Sequence, residues 1–138
     1  MSQMERVSIT IESDLLAQFD RLRAQRGHRN RSEALRDLIR RALVEQRWEQ
    51  DQGPVVGTLT VVYDHTNRHI SRQIVAAGHT HEGLVSATLH IHLDRKHCLE
   101  VMALKGDPQE VRDFADAILG AKGVIHGDLV MTTMGDLT

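Results

Sequence analysis

The segment RVSITI, Arg6 to Ile11, is a strand with nothing nearby to pair with. Val7, Ile9 and Ile11 fall on one face and Arg6, Ser8 and Thr10 on the other, the period of two that an extended chain imposes. The next stretch is helical. Ser13 is placed as an N-cap, and Leu15, Leu16, Phe19 and Leu22 recur along one helix face until Gly27 ends it. A second helix opens at Asn30, with Glu33 completing a capping-box pattern, and carries Ala34, Leu35, Leu38, Ile39, Ala42 and Leu43. The first fifty residues therefore read strand, helix, helix. Backbone N–H and C=O groups are costly to leave unpaired, so the partner of this strand is expected to be the same strand of a second copy. Two copies make an antiparallel ribbon about a twofold axis, with the apolar face on four helices and Arg6, Ser8 and Thr10 outward.

Such a ribbon fits the DNA major groove, where Arg can grip guanine and Ser or Thr can meet base edges. The second helix would start beside the phosphates, its free N–H groups at Asn30, Arg31 and Ser32 aimed at anions. Residues 1 to 47 hold ten Arg and no Lys against seven acidic residues, so this half is basic. A plain dimerisation module kept soluble by its arginines is the alternative. RVSITIESDLL followed by GHRNRSEALRDLIRRAL resembles a ribbon-helix-helix DNA-binding domain. That resemblance implies base reading by Arg6, Ser8 and Thr10.

From residue 53 onward the balance reverses to seven Lys or Arg against ten acidic residues, and eight of the nine histidines lie there. The polar, aperiodic EQRWEQDQGP, Glu45 to Pro54, reads as a linker, which divides the chain into modules 1–50 and 51–138. The fold class expected is α+β. After the linker, VVGTLTVVY is a strand, and Ile70, Ile74, Val75 and Ala77 mark a helix that Gly78 ends. Strands then span Val85 to Leu93 and Cys98 to Leu104. Asp107, Pro108 and Glu110 supply an N-cap, a first-turn proline and a capping-box glutamate for a helix bearing Val111, Phe114, Ala115, Ile118 and Leu119. A last strand, Val124 to Thr132, completes the βαββαβ order of ferredoxin-like folds, which small regulatory domains of the ACT type resemble.

The stretch LHIHLDRKHC, Leu89 to Cys98, carries the chemistry. Val85, Ala87, Leu89, Ile91 and Leu93 are read as the core face of one strand and Leu99, Val101 and Ala103 as that of the next. This leaves His90 and His92 on the same polar face as Cys98, where a partner copy is expected to pack. A hairpin turning over Asp94 to Lys96 makes His92 and Cys98 cross-strand neighbours and sets His90 diagonally from Cys98, while parity sends His97 to the other side. Two imidazoles and a thiolate suit late divalent transition metals. His79 or His81, in AGHTHEG, could add a fourth ligand. A polar sheet face and a core cysteine are the plain alternatives.

The ribbon-helix-helix head joined to GHTHEGLVSATLHIHLDRKHCLEVMALKGD resembles the NikR family of nickel-responsive transcriptional repressors over nearly the whole chain. That resemblance implies a square-planar nickel site of His79, His90, His92 and Cys98, with His79 supplied by a neighbouring subunit of a homotetramer, a dimer of dimers. It also implies a second, weakly bound cation near Glu33 and Asp37, carboxylates that flanking arginines could neutralise equally well. A planar four-coordinate site favours Ni(II) or Cu(II) over Zn(II), and proton loss from the ligands makes affinity fall as pH drops.

The implied mechanism is a population shift, in which metal at the tetramer core biases two ribbon dimers toward the half-sites of one double-stranded operator. The expected outcome is repression of nickel uptake. A regulator of the same build sensing a different metal or effector is the main alternative. An enzyme is disfavoured because four protein ligands leave no position for a small-molecule substrate. A metal store would have no use for an outward Arg6, Ser8 and Thr10. No apolar run reaches membrane-span length and the polar start carries no apolar signal, so a cytoplasmic location is expected.

Overall fold

The computed structural model describes residues 3–50 and 53–135. Residues 3–12 belong to no helix or strand, so the expected strand Arg6 to Ile11 is not formed within one chain, and residues 3–10 are exposed, with Val7 78% and Ile9 63% accessible. Helix α1, Ser13–Gln25, has Glu12 rather than Ser13 as its N-cap, so Ser13 is the first helical residue. Its end is set by Gly27, whose φ of 78° no β-carbon tolerates well. That turn lets the His28 amide donate to the Arg23 carbonyl at 2.9 Å and the Gly27 amide to Ala24 at 3.1 Å, closing the orphan carbonyls.

Helix α2, Arg31–Gln50, begins as the capping pattern requires, with Asn30 Oδ1 accepting from the Glu33 amide at 2.9 Å. Glu33 reaches back one residue further than expected, its Oε2 accepting from the Arg29 amide at 3.0 Å. The reading of Glu45 to Pro54 as linker is corrected over its first half. Residues 45–50 are helical, and the compact units divide between Leu43 and Val44. Trp48 explains this, because it is wholly buried in the core of the second unit and donates Nε1–H to the Thr132 carbonyl at 3.0 Å. Arg112 stacks its guanidinium 5.8 Å from the Trp48 ring centroid. Residues 51 and 52 lie outside the described residues.

The second unit is β1 (Val55–Asp64), α3 (Arg68–Thr80), β2 (Val85–His92), β3 (His97–Gly106), α4 (Pro108–Leu119) and β4 (Val124–Thr132). The strands form one antiparallel sheet in the order β2-β3-β1-β4, the ferredoxin-like arrangement expected. Asn67 caps α3 by accepting from the His69 amide at 3.0 Å. The helix runs through Gly78 to Thr80, two residues past the expected stop, because Gly78 keeps a helical conformation. Asp107 and Pro108 start α4 as read, but the capping box is not made: no side chain caps the helix, and Glu110 lies beside His81 instead.

The core face of β3 is the reverse of the one expected. Cys98, Glu100, Met102 and Leu104 are buried, facing Tyr63, Val61 and Leu59 of β1 and packing with Ile70, Phe114 and Ile118 of the helices. Leu99, Val101 and Ala103 are half-buried on the opposite face, beside exposed Leu89, Ile91 and Val130. Both faces of this sheet are apolar, so hydrophobicity alone does not say which one the helices cover. A register shift between Val85 and Ala87 lets Val85 join the helix-covered side, which also carries Thr88, His90 and His92.

Candidate metal centre

The β2–β3 hairpin positions the site, and Asp94 shapes the hairpin. Its Oδ1 accepts from the amides of Lys96 and His97, both at 2.8 Å, and its Oδ2 lies 2.8 Å from His97 Nδ1. These contacts, with the His97 imidazole first, hold the Asp94 carboxyl down at about 2. The Leu93 amide donates to the His97 carbonyl at 2.9 Å, and the register then sets His92 opposite Cys98 and His90 opposite Glu100. His97 is thereby spent on Asp94, away from Cys98, as parity required.

On the helix-covered face, Cys98 Sγ lies 3.4 Å from His92 Nδ1. The His90 and His92 ring centroids are 5.0 Å apart. His90 stands edge-on to Tyr63 at 6.3 Å, and its Nδ1 lies 3.5 Å from Oε1 of Glu100. Glu100 is a buried carboxylate, 8% exposed, whose Oε2 has no hydrogen-bond partner among the described residues. A carboxylate held against one ring nitrogen of a histidine fixes which nitrogen faces outward, a common arrangement behind metal-ligating imidazoles.

The protonation states follow from burial. Cys98 is fully buried, and that desolvation, reinforced by the Glu100 and Asp94 charges, raises the thiol above its ordinary value. Tyr63 is pushed up to about 12, chiefly by burial and then by the Glu100 charge. Both neighbouring charges disfavour the Cys98 thiolate, and a bound cation would favour it. Soft thiolate with imidazole is the donor set of Ni, Cu and Zn, and these residues fit such an ion.

One further candidate ligand was not apparent from the sequence. Among the described residues, the group of His, Cys, Asp and Glu atoms close enough to share an ion is His65, His92 and Cys98, all within 4.8 Å of one another. His65 directly succeeds β1 and stands edge-on to His92 at 5.7 Å. The β1–β3 register, which pairs Asp64 with His97, was the missing information.

His79 lies exposed in the last turn of α3 and joins no group of ligand atoms among the described residues of its own chain. His81 is tethered: Nδ1 is 3.5 Å from Glu110 and the ring stands edge-on to Phe114.

In the first unit, Glu33 and Asp37 already have partners. Glu33 bonds the Arg29 amide, and Asp37 Oδ2 lies 3.1 Å from Arg41 Nε and 3.4 Å from His28 Nε2. Asp20 takes Arg31 through two hydrogen bonds of 3.0 and 2.9 Å and Arg23 through a third of 3.1 Å, which hold its carboxyl well below the usual range. The Arg31 guanidinium is thus committed to α1, leaving its backbone N–H at the start of α2. Arg6, Ser8 and Thr10 are exposed.

Two family models match the chain. Residues 5–46 match the ribbon-helix-helix protein, copG family, and residues 56–132 match the NikR C-terminal nickel binding domain. A protein of Geobacter metallireducens named "Putative nickel-responsive regulator" is 48% identical over 99% of this chain and 98% of its own length. Relatives of the same name from Geotalea uraniireducens and Solibacter usitatus are each 47% identical, covering 99% and 98% of this chain and 98% and 97% of their own lengths. Among solved structures, the uncharacterized protein TM1266 from Thermotoga maritima covers 56% of this chain and 96% of its own, with a TM-score of 0.50 and 15% identity, a likeness of fold alone. With a ribbon-helix-helix head joined to a histidine- and cysteine-bearing βαββαβ unit, and with relatives that match it end to end, the chain belongs to the NikR family.

Proposed function

We propose that this chain is a nickel-responsive, DNA-binding transcriptional repressor that closes on its operator when Ni(II) fills the second unit. The observation that carries the proposal is the β2–β3 register, which sets His92 against Cys98 and His90 beside them on one face. In this reading His90, His92 and Cys98 of one chain and His79 of a neighbouring copy hold the metal. The ion supplies a positive charge that fixes the thiolate and ties two chains together. Glu100 orients His90 through Nδ1, and buried Tyr63 supports the same ring.

The unit ending at Leu43 serves as the DNA-binding module, and the unit that begins at Val44 serves as the metal-binding and tetramerisation module. Two copies pair their Arg6–Ile11 segments, seat Val7 and Ile9 between helices, and present Arg6, Ser8 and Thr10 to the major groove, with the Asn30, Arg31 and Ser32 amides against phosphate. The exposed Leu89, Ile91 and Val130 face of the sheet supports assembly of dimers into a tetramer. No helix among the described residues is long and apolar enough to cross a membrane, and we assign the protein to the cytoplasm with DNA as its partner. A second cation at Glu33 and Asp37 must displace Arg41 and His28 from Asp37, so we assign it much weaker binding than the Cys98 site.

The test is a gel-shift titration of the full chain on a nickel-transporter promoter with Ni(II), Cu(II), Zn(II) or no metal. Nickel-dependent retardation is expected, with Arg6→Ala abolishing it while metal uptake persists. Cys98→Ala should remove the nickel-thiolate charge-transfer absorbance. Retardation indifferent to metal would favour the second reading, the same architecture answering to another effector, and a surviving thiolate band would overturn the ligand set.

A further inference from the structure

We propose that Asp20 restrains sequence-independent DNA binding: by holding the Arg31 guanidinium against α1, it keeps that charge off the phosphates and leaves the start of α2 to meet them through uncharged backbone amides. The inference rests on the DNA-binding reading above and adds a positioning residue to it.

Asp20 and Arg23 lie three residues apart on α1, and the chain returns past Gly27 to set Arg31, the first residue of α2, against them. Asp20 Oδ2 accepts from Arg31 Nη2 at 2.9 Å and Oδ1 from Arg31 Nε at 3.0 Å, a grip in which two guanidinium donors meet one carboxylate. Arg23 Nε donates to the same Oδ1 at 3.1 Å. The pairing is mutual. Bonds from Arg31 first and from Arg23 next hold the Asp20 carboxyl below its ordinary range, and Asp20 raises Arg31 in turn. An isolated exposed ion pair contributes little, but a two-bonded one braced by a third group keeps its geometry. At the helix start itself, Asn30 Oδ1 takes the Glu33 amide, while the amides of Arg31 and Ser32 are among those that a helix leaves without an internal partner and that suit an anion.

An approaching phosphate gives Arg31 no reason to change partner. It offers the same two bonds that Asp20 already supplies, and an exchange would leave the Asp20 carboxylate, held by Arg23 alone, beside the phosphate that Arg31 had joined. The Arg31 side chain is 55% exposed against 26% for Arg23, so Arg31 is the charge set free when Asp20 loses its own. A cation placed on a phosphate displaces a counterion and strengthens binding to any duplex, without reading its sequence. Committing Arg31 to Asp20 therefore lowers affinity for unrelated DNA. More of the discrimination is left to Arg6, Ser8 and Thr10.

The experiment measures binding of the full-length, Ni(II)-loaded protein to a duplex of scrambled sequence and to a nickel-transporter promoter, by fluorescence anisotropy over roughly 50 to 200 mM salt. Asp20→Asn should tighten binding to the scrambled duplex. It should also steepen the fall of log affinity with log salt by about 0.9 per phosphate gained, about 1.8 for a paired ribbon, so that its advantage over the parent grows roughly tenfold as salt is lowered across that range. Asp20→Glu keeps the charge and should stay near the parent. Arg31→Ala alone should leave the parent's slope unchanged, and the double variant Asp20→Asn, Arg31→Ala should return to it. Retained promoter binding is the control for folding of the first unit, and Arg31→Ala decides the point even where Asp20→Asn does not fold. The proposal is overturned if Arg31→Ala alone flattens the slope, because Arg31 then sits on phosphate in the parent. It is equally overturned if the double variant stays as steep as Asp20→Asn, because the effect then belongs to the Asp20 charge itself, or if Asp20→Asn alters neither affinity nor slope. A parent and variants that bind neither duplex at any salt overturn the DNA-binding reading, whatever Asp20 does.

Discussion

The two compact units bury their apolar residues in opposite ways. Among the described residues of the first, Ala34 alone is buried and α1 buries nothing, while Val7, Ile9, Leu15 and Ile39 are more than half exposed. An open apolar groove of about 400 Å³, lined by Ile9, Ile11, Leu15, Leu16, Phe19 and Leu38 among others, runs through it. The second unit closes a core of its own around Trp48, Leu59, Ile70, Phe114 and Ile118. One unit has the pattern of a fold without its interior, and the other has an interior of its own. Under the proposed assembly, the first takes its stability from a second copy, and the second takes from a second copy only its last ligand.

The sharpest way to break this comparison is Trp48→Ala. The indole is wholly buried, and truncating such a side chain costs about 3–5 kcal/mol. Because Trp48 belongs to the second unit's core, unfolding followed by circular dichroism should show that unit losing stability at any protein concentration. A loss below about 1 kcal/mol, far under the usual cost of such a truncation, would mean that residues 45–50 are part of the linker their composition suggests.

Ile9→Ala is the counterpart in the first unit. At 63% exposure the side chain has little to lose within one chain. In a paired ribbon it is buried in both chains, and its removal should cost roughly 2 kcal/mol per chain, about 4 kcal/mol per dimer and so on the order of a thousandfold in the dimer constant. Sedimentation equilibrium should show weaker association, with the melting of the second unit unchanged. Equal stability at all concentrations would mean that the first unit is stabilised within its own chain.

The same contrast governs what is legible in the sequence. The helices of both units announce themselves by period, Gly27 by its turn, and the His92–Cys98 pairing by an odd-length hairpin. Trp48 hides the end of α2, because one large apolar residue among Glu, Gln and Arg gives no periodicity. Leu99, Val101 and Ala103 imitate core because the open face of the sheet is apolar as well, and local alternation cannot tell a face covered by helices from one left for another copy. Gly78 imitates a stop, although glycine at helical φ simply continues the helix. His65 lies in a turn, outside any strand pattern, and only the pairing of β1 with β3 brings it to Cys98.

Asp94→Asn should have the smallest effect and sharpens the comparison most locally, since it tests whether the hairpin geometry is held by its own chain. The Asp94 carboxyl is held down to about 2 from an ordinary 3.8, first by His97 and then by the Lys96 and His97 amides. A group whose folded value is depressed contributes stability that is fully present above the unfolded value and is lost as pH falls through the folded one. The parent should therefore lose this contribution between roughly pH 4 and pH 2, and Asp94→Asn should flatten that part of the acid limb. The group is exposed, so the change in melting temperature at neutral pH should be slight. Metal titration is the more telling measurement: relaxing the Asp94 turn loosens the register that sets His92 opposite Cys98, and Ni(II) affinity should fall while dimerisation through Ile9 stays as it was. An unchanged metal affinity with a flattened acid limb would show that strand pairing alone holds the site, leaving Asp94 a role in the turn only.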